Sequence, residues 1–144
     1  MYLTIGEIKK NYPSAWIRSD ARIESGAWIE SDARIESGAW IERDAWIESG
    51  ARIGSSAVIR SGARIGSVSS KFTGNISPTK EGMNMRIGCE IHSLEEWTKR
   101  GAAIARKVGE SEWWESTGKA MLAYLVNEAN VYLLKYGNSV ESEP

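Results

Sequence analysis

Several residue types are scarce in this chain of 144 residues, and each scarcity argues against a class of site. The single cysteine, Cys89, has no partner for an internal disulfide, which is typical of a reduced cytoplasmic setting. The single histidine, His92, is too few for a metal site that needs three histidine ligands from one chain. No hydrophobic run is long enough to span a membrane, and we expect no signal peptide. The sequence therefore predicts a cytoplasmic protein with no metal, no other cofactor and no membrane partner.

Neither sign of charge is in large excess, and the formal net charge is −1. The distribution along the chain is nevertheless uneven. Eight acidic residues lie between Asp20 and Glu48, whereas residues 51–80 contain five basic residues and no acidic one. We interpret the basic stretch as an anion-binding edge, and charge patterning for solubility is the alternative. No segment resembles a basic nucleic-acid-binding module.

What the chain has in abundance is a six-residue repeat. Nine tandem hexapeptides run from Ala15 to Val68, and each has Ala at its first position and Ile at its third. Residues two apart on a strand face the same side, so the Ala and the Ile of each unit point inward together. Most units end in Ser-Gly, Ser-Asp or Arg-Asp, which favour a turn. Each unit is therefore predicted to be a short strand followed by a corner of a β-solenoid.

Over residues 15–68 this pattern resembles the hexapeptide-repeat family. The resemblance implies a left-handed parallel β-helix in which three hexapeptides form one triangular coil, so that nine units form three coils. At about 4.8 Å between stacked strands, the three coils span only about 10 Å, and both ends need covering. Residues 18 apart would then stack in three outward ranks, which are Trp16–Arg34–Arg52, Arg22–Trp40–Val58 and Trp28–Trp46–Arg64.

The segments on either side of the repeat are predicted to cover the two ends. Residues 1–14 contain a capping-box pair, Thr4 and Glu7, and are expected to form a helix that plugs the first coil. Residues 69–92 are predicted to form a β-hairpin of two strands, 71–77 and 83–92. Residues 93–144 are predicted to form a helical tail for oligomerisation, with two helices and a frayed end at 138–144.

Two sets of residues are predicted to form intermolecular sites. The second helix of the tail is apolar over more surface than one helix partner would cover, so we predict self-association through it, with packing inside the chain as the alternative. The predicted interface residues are Trp28, Trp46, Trp40, Trp114, Met121, Leu125 and Tyr132. The predicted ligand-binding residues are the basic side chains Arg52, Arg60, Arg64, Lys71 and Arg86.

The flanks, in particular Arg86–Trp97 and the Thr-Ile-Gly-Glu-Ile opening, look like those of small bacteriophage hexapeptide-repeat proteins. The leading hypothesis is therefore a non-catalytic homotrimeric binding protein, a phage accessory or counter-defence factor in the host cytoplasm. Its partner would be an anionic small molecule such as a nucleotide, held at subunit interfaces, or a host defence protein. Arginine pairs with phosphate, and tryptophan provides a stacking face for a base.

Two alternatives remain open. The hexapeptide-repeat resemblance implies acyl transfer from acetyl-CoA at a subunit interface with a histidine base, and His92 is the only candidate. His92 lies outside the repeat, immediately before a predicted helix cap, where a structural role is the simpler interpretation. Cys89 is three residues from His92, and on a strand that spacing puts the two side chains on opposite sides. This argues against a catalytic pair in which His92 activates Cys89 as a nucleophile. The second alternative is a structural phage component.

Overall fold

Nine short parallel strands, β1–β9, form the centre of the protein, in a computed structural model that describes residues 2–137. Their bounds are Trp16–Ile17, Arg22–Ile23, Trp28–Ile29, Arg34–Ile35, Trp40–Ile41, Trp46–Ile47, Arg52–Ile53, Val58–Ile59 and Arg64–Ile65. They form three parallel sheets in the orders β1-β4-β7, β2-β5-β8 and β3-β6-β9. The register pairs residues 18 apart throughout, so three hexapeptides form one coil and the predicted three-coil parallel β-helix is confirmed.

The inward positions of the repeat form the core. Every repeat isoleucine from Ile23 to Ile65 and every repeat alanine from Ala21 to Ala63 is buried. The sixth residue of seven consecutive units, from Gly26 to Gly62, has a left-handed backbone with φ between 60° and 90°. That conformation favours glycine, which occupies four of the seven corners, and it is tolerated by Asp32 and Asp44.

Helix α1 (Ile5–Asn11) covers the first coil, as predicted. The capping box forms, because Thr4 Oγ1 accepts from the Glu7 amide at 3.2 Å and Glu7 Oε1 accepts from the Thr4 amide at 2.9 Å. Ile8 is buried against the core. The Tyr12 hydroxyl donates to the carbonyl of Ala27 at 2.6 Å. The residue that follows α1 therefore provides a hydrogen-bond partner for a backbone carbonyl of the first coil, which has no preceding coil beside it.

The third coil is covered by an antiparallel sheet of four strands, where the sequence predicted a two-stranded hairpin. The strands, in sheet order, are β10 (Val68–Ser69), β11 (Thr73–Thr79), β12 (Gly82–Ile87) and β13 (Glu90–Ser93). The predicted strand 83–92 is broken because Gly88 has φ 64° and starts a turn at Cys89. Strand β11 lies across the coil edge, where Ser77 Oγ accepts from the amide of Gly54 at 2.9 Å.

Helix α2 (Leu94–Lys107) follows, and the side chain of Ser93 caps it. Helix α3 (Ser111–Trp113), a π-helical segment (Trp114–Gly118) and helix α4 (Lys119–Tyr136) then form one continuous helical stretch. The predicted frayed end, 138–144, lies outside the described residues. Within residues 2–137, no helix has both the length and the apolar character needed to cross a membrane.

The inner face of this helical stretch packs on the β-helix and its covering sheet. The four predicted interface residues of the tail, Trp114, Met121, Leu125 and Tyr132, are all buried within one chain. The Tyr132 hydroxyl accepts from the amide of Arg60 at 3.1 Å and donates to the carbonyl of Val58 at 3.2 Å. Burial raises the pKa of Tyr132 to about 12. Packing inside the chain, the alternative interpretation, therefore covers these residues without a second copy.

Candidate functional site

The outer surface of the β-helix has three faces that differ in charge. Face 1 is formed by β1, β4 and β7, face 2 by β2, β5 and β8, and face 3 by β3, β6 and β9. The outward positions are the second and the fourth residue of each unit. They supply three arginines and one glutamate to face 1, two arginines and two glutamates to face 2, and one arginine and two glutamates to face 3. The formal charges of these positions are therefore +2, 0 and −1.

Face 1 carries an exposed tryptophan between guanidinium groups. Trp16 is 43 % exposed, and the guanidinium carbons of Arg34 and Arg18 lie 3.9 Å and 4.5 Å from its ring centroid. Glu36 is the carboxylate of this face, and it pairs with both Arg34 at 3.2 Å and Arg52 at 2.9 Å. Glu36 serves two guanidinium groups, and Arg18 interacts electrostatically with the corner carboxylate of Asp20, so the face keeps a formal positive surplus of one charge when that corner is included.

Face 3 carries the predicted aromatic ladder. Trp28 and Trp46 stack with ring centroids 4.7 Å apart and an interplanar angle of 11°, and the guanidinium of Arg64 lies 4.2 Å from the Trp46 centroid. Glu30 accepts from Trp46 Nε1, and Glu48 pairs with Arg64. These contacts fix Trp46 in place and leave Trp28, which is 59 % exposed, at the open end of the stack.

A groove lies beside the open end of the ladder. It has a volume of about 580 Å³ and is bounded by the turn 11–15, by Trp28 and by Glu30. Its volume lies within the range of about 300–1,000 Å³ that is typical of small-molecule sites. Trp28 therefore offers a stacking surface next to a space large enough for a planar ring.

Face 2 is covered within the chain, which corrects the prediction that Trp40 lies at an interface. Trp40 is only 1 % exposed. The ring of Tyr2 packs edge-to-face against it with centroids 6.3 Å apart, and the guanidinium of Arg22 lies 4.7 Å from its centroid. In the part of the chain that the structure describes, faces 1 and 3 thus remain as the uncovered tryptophan faces of the β-helix.

The five predicted ligand-binding residues do not form one basic edge. Arg52, Arg60 and Arg64 lie on three different faces. Each pairs with a glutamate of the coil below, at 2.9 Å for Arg52–Glu36 and 3.6 Å for Arg60–Glu42. The basic stretch in the sequence is thus divided among the faces, because consecutive units of the repeat point in different directions.

The other two residues of that set lie outside the coils. Lys71 pairs with Glu110 at 2.9 Å. Arg86 is only 7 % exposed and donates to Asn75 Oδ1, to the carbonyl of Gly88 and to the carbonyl of Gly50. Burial, together with the charge of Arg52, lowers the pKa of Arg86 to about 10. Arg86 therefore joins the sheet to the coils through its own hydrogen bonds, and its guanidinium is directed into the chain rather than toward solvent.

His92 and Cys89 lie in the antiparallel sheet, away from the coils. His92 Nε2 is 2.8 Å from Glu90 Oε1, and its ring packs edge-to-face on Trp97 with centroids 5.2 Å apart. Cys89 is exposed in the turn between β12 and β13. Among the residues that the structure describes, no group of three or more His, Cys, Asp or Glu side chains is placed to hold a metal ion.

Three residues of face 1 belong to the candidate site but not to the predicted site residues, namely Trp16, Arg18 and Arg34. The sequence contains a signal for this basic face. It appears when charges are summed over outward positions 18 residues apart, which share a face, rather than over consecutive residues. No family model, curated protein or solved structure matches this chain.

Proposed function

We propose that the protein is a non-catalytic binding protein that assembles as a homotrimer through faces 1 and 3 and holds an anionic aromatic ligand, such as a nucleotide, between them. The observation that carries the proposal is the pairing of an uncovered basic tryptophan face with an uncovered acidic one on the same β-helix. A left-handed coil, which the family resemblance implies, belongs to this proposal.

Two different faces that bind each other form a head-to-tail contact, and such contacts close into a ring when the rotation between copies divides a full turn. The faces of a triangular β-helix meet at roughly 60°, so flush contact between faces 1 and 3 would close with about six copies. In a ring of three copies, face 1 and face 3 of neighbouring copies meet along the corner nearest the axis and open outward as a wedge, with face 1 on one side and face 3 of the next copy on the other. The wedge is the ligand site in this proposal.

The two walls of the wedge match the two parts of a nucleotide. Arg18, Arg34 and Arg52 supply guanidinium groups, whose forked donors suit phosphate oxygens. Trp28 supplies an exposed ring face, and stacking of a base on an aromatic ring is worth about 1–3 kcal/mol. The resemblance to small bacteriophage proteins supports the biological role that we propose, which is sequestration of a nucleotide signal of host defence, or blocking of a defence protein, in the host cytoplasm.

Assembly is tested with a pair of variants that carry the same charge change. Arg34→Glu lowers the formal charge of face 1 from +2 to 0, and Arg43→Glu makes the same change at an exposed corner of the same coil. Light scattering coupled to size exclusion should give three times 15.9 kDa for wild type and Arg43→Glu, and the monomer mass for Arg34→Glu. A mass of six chains would indicate flush contact, and an unchanged trimer in Arg34→Glu would refute the interface.

Ligand binding is tested by thermal shift with linear and cyclic mono-, di- and trinucleotides beside CoA and acetyl-CoA. A ligand at about 100 times its dissociation constant stabilises the folded state by about 2.7 kcal/mol. We expect a shift with at least one nucleotide that is lost in Trp28→Ala and kept in Tyr124→Ala, since Tyr124 is exposed on α4. A trimer that shifts with none of the panel would instead support the structural-component alternative.

The Glu90–His92 pair keeps acyl transfer as a second candidate. A carboxylate that accepts from one imidazole nitrogen orients the ring as a base, and here the two atoms are 2.8 Å apart. Turnover of acetyl-CoA that disappears in His92→Ala and persists in Cys89→Ser would establish this function. The absence of any acetyl-CoA binding by calorimetry would rule it out.

A further inference from the structure

A second cavity is formed by the covering sheet and the helices rather than by the coils. It has a volume of about 240 Å³ and is walled by four aromatic rings, which belong to Phe72, Trp97, Trp113 and Trp114. Phe72 and Trp113 meet edge-to-face with centroids 4.9 Å apart, and Trp97 and Trp114 lie nearly parallel at 6.4 Å. An apolar cavity of about 150 Å³ accommodates benzene, so this cavity has room for one or two rings.

Both helical stretches that contribute to this cavity are irregular near it. Helix α2 departs from helical geometry at Arg100, with φ −128° and ψ 15°. The next helical stretch contains the π-helical segment at Trp114–Gly118. A methyl group on Gly101 would overlap the Trp114 ring, so the glycine after the α2 irregularity is what admits that ring. π-helical segments are rare and occur often at functional sites.

The polar groups around the cavity already have partners within the chain. Trp97 Nε1 donates to the carbonyl of Met85 at 2.7 Å, and Trp113 Nε1 donates to Ser70 Oγ at 3.1 Å. The two carboxylates that border the cavity are paired as well, Glu90 with His92 at 2.8 Å and Glu110 with Lys71 at 2.9 Å. Both rim carboxylates are thus engaged by partners of the chain itself, and the walls present rings and aliphatic groups, which suits an uncharged occupant.

The cavity opens to solvent at two residues that make it accessible to experiment. Cys89 lines it and is exposed. Val108 also lines it and is 52 % exposed. A ligand can therefore enter without unfolding of the helices, and its arrival changes the surroundings of a thiol that occurs once in the chain.

We infer that this aromatic cavity is a binding site for a compact neutral aromatic molecule of one or two rings. The site is independent of the coil faces and of the trimer, because its walls come from strands β12 and β13, the segment before β11, and the helices. Edge-to-face and stacked contacts with four rings would select an aromatic occupant over an aliphatic one of equal size.

The test uses three probes with one ring system and three charges, which are indole, indole-3-acetate and tryptamine. Calorimetry with the full-length protein should show saturable binding of indole, one per chain, and at least tenfold weaker binding of the anion and of the cation. Indole should also slow the reaction of Cys89 with a thiol reagent in proportion to occupancy. Equal affinity for all three probes, or no saturable binding of indole, would overturn the inference.

A matched pair of variants locates the site. Val108→Trp places a large side chain at the mouth of the cavity and should abolish indole binding. Val131→Trp makes the same change on α4 at a residue of similar exposure, 54 %, outside the cavity, and should bind indole like wild type. Retained binding in Val108→Trp would refute the placement. If Val108→Trp does not fold by circular dichroism, protection of Cys89 in the wild type decides the question.

Discussion

At the scale of single residues, the side chain of Asn75 replaces part of a fourth coil. It is fully buried, accepts from the amide of Arg52 at 2.9 Å and donates to the carbonyl of the same residue at 2.8 Å. A stacked strand would make the same two hydrogen bonds through its backbone. Asn75 Oδ1 also accepts from Arg86 Nε at 3.1 Å, which anchors the buried guanidinium beneath the sheet.

Removal of this side chain should therefore weaken the whole fold. Asn75→Ala leaves a buried amide, a buried carbonyl and a buried guanidinium donor without their partner, and each such loss costs about 1–3 kcal/mol. We expect urea denaturation to show a loss of about 2–4 kcal/mol in the free energy of unfolding, after partial compensation by water. Asn127→Ala, at an exposed residue of α4, should change it by less than about 0.5 kcal/mol. Similar values for the two variants would contradict the role of Asn75.

Gly101 is a residue where one methyl group should matter. An added Cβ would overlap the ring of Trp114, which is itself held between Gly101 and Gly118. Overpacking of this kind costs about 1–3 kcal/mol, although alanine is otherwise the better helix former. Gly101→Ala should lower the melting temperature and perturb tryptophan fluorescence. Gly6→Ala in helix α1, where the nearest atom to an added Cβ is 3.9 Å away, should not lower it. An unchanged melting temperature in Gly101→Ala would show that the Trp114 ring can move away at little cost in free energy.

At the scale of elements, the repeat could be predicted and the flanks only in part. Each unit must place its Ala and its Ile inward, so periodicity leads to the strands, whereas the 18-residue register was implied by the resemblance to hexapeptide-repeat proteins. The apolar stripe of α4 has no such constraint, because a buried Leu125 and an intermolecular Leu125 look alike in a sequence. The basic surface of face 1 was missed for a related reason, since charge counted along the chain mixes the three faces.

The 18-residue register leads to a prediction about insertions. Duplication of residues 33–50 adds one whole coil and returns every later residue to its original face, so β11 and Tyr132 should still meet the last coil. Duplication of residues 33–38 adds a third of a coil and moves the third-coil groups to a different face. We expect the first variant to melt at or above the wild-type temperature and the second to melt lower or aggregate. Equal melting temperatures of the two variants would show that β11 and Tyr132 can pack on any face of the last coil.

At the scale of the whole molecule, the asymmetry of the three faces is what makes assembly specific in this proposal. Tyr2 packs on Trp40 of face 2, and the exposed Trp16 and Trp28 lie on faces 1 and 3, which have formal charges of opposite sign. Like faces repel in a two-fold dimer, whereas unlike faces attract in a ring. Attraction of this kind between exposed charges weakens with salt, because the screening length falls from about 10 Å at 0.1 M to about 3 Å at 1 M.

A charge exchange between the faces tests this argument in full. Arg18→Glu and Arg34→Glu together turn the formal charge of face 1 from +2 to −2, so this face repels face 3 and the variant should be monomeric. Addition of Glu48→Lys turns the formal charge of face 3 from −1 to +1, so the two faces again have opposite signs. Light scattering should then show recovery of the trimer mass at about 0.1 M salt and its loss at about 1 M. Glu81→Lys makes the same charge change at an exposed turn outside the coil faces and should leave the double variant monomeric. Equal recovery with Glu81→Lys would mean that net charge controls association, whereas recovery with Glu48→Lys alone would establish the head-to-tail ring.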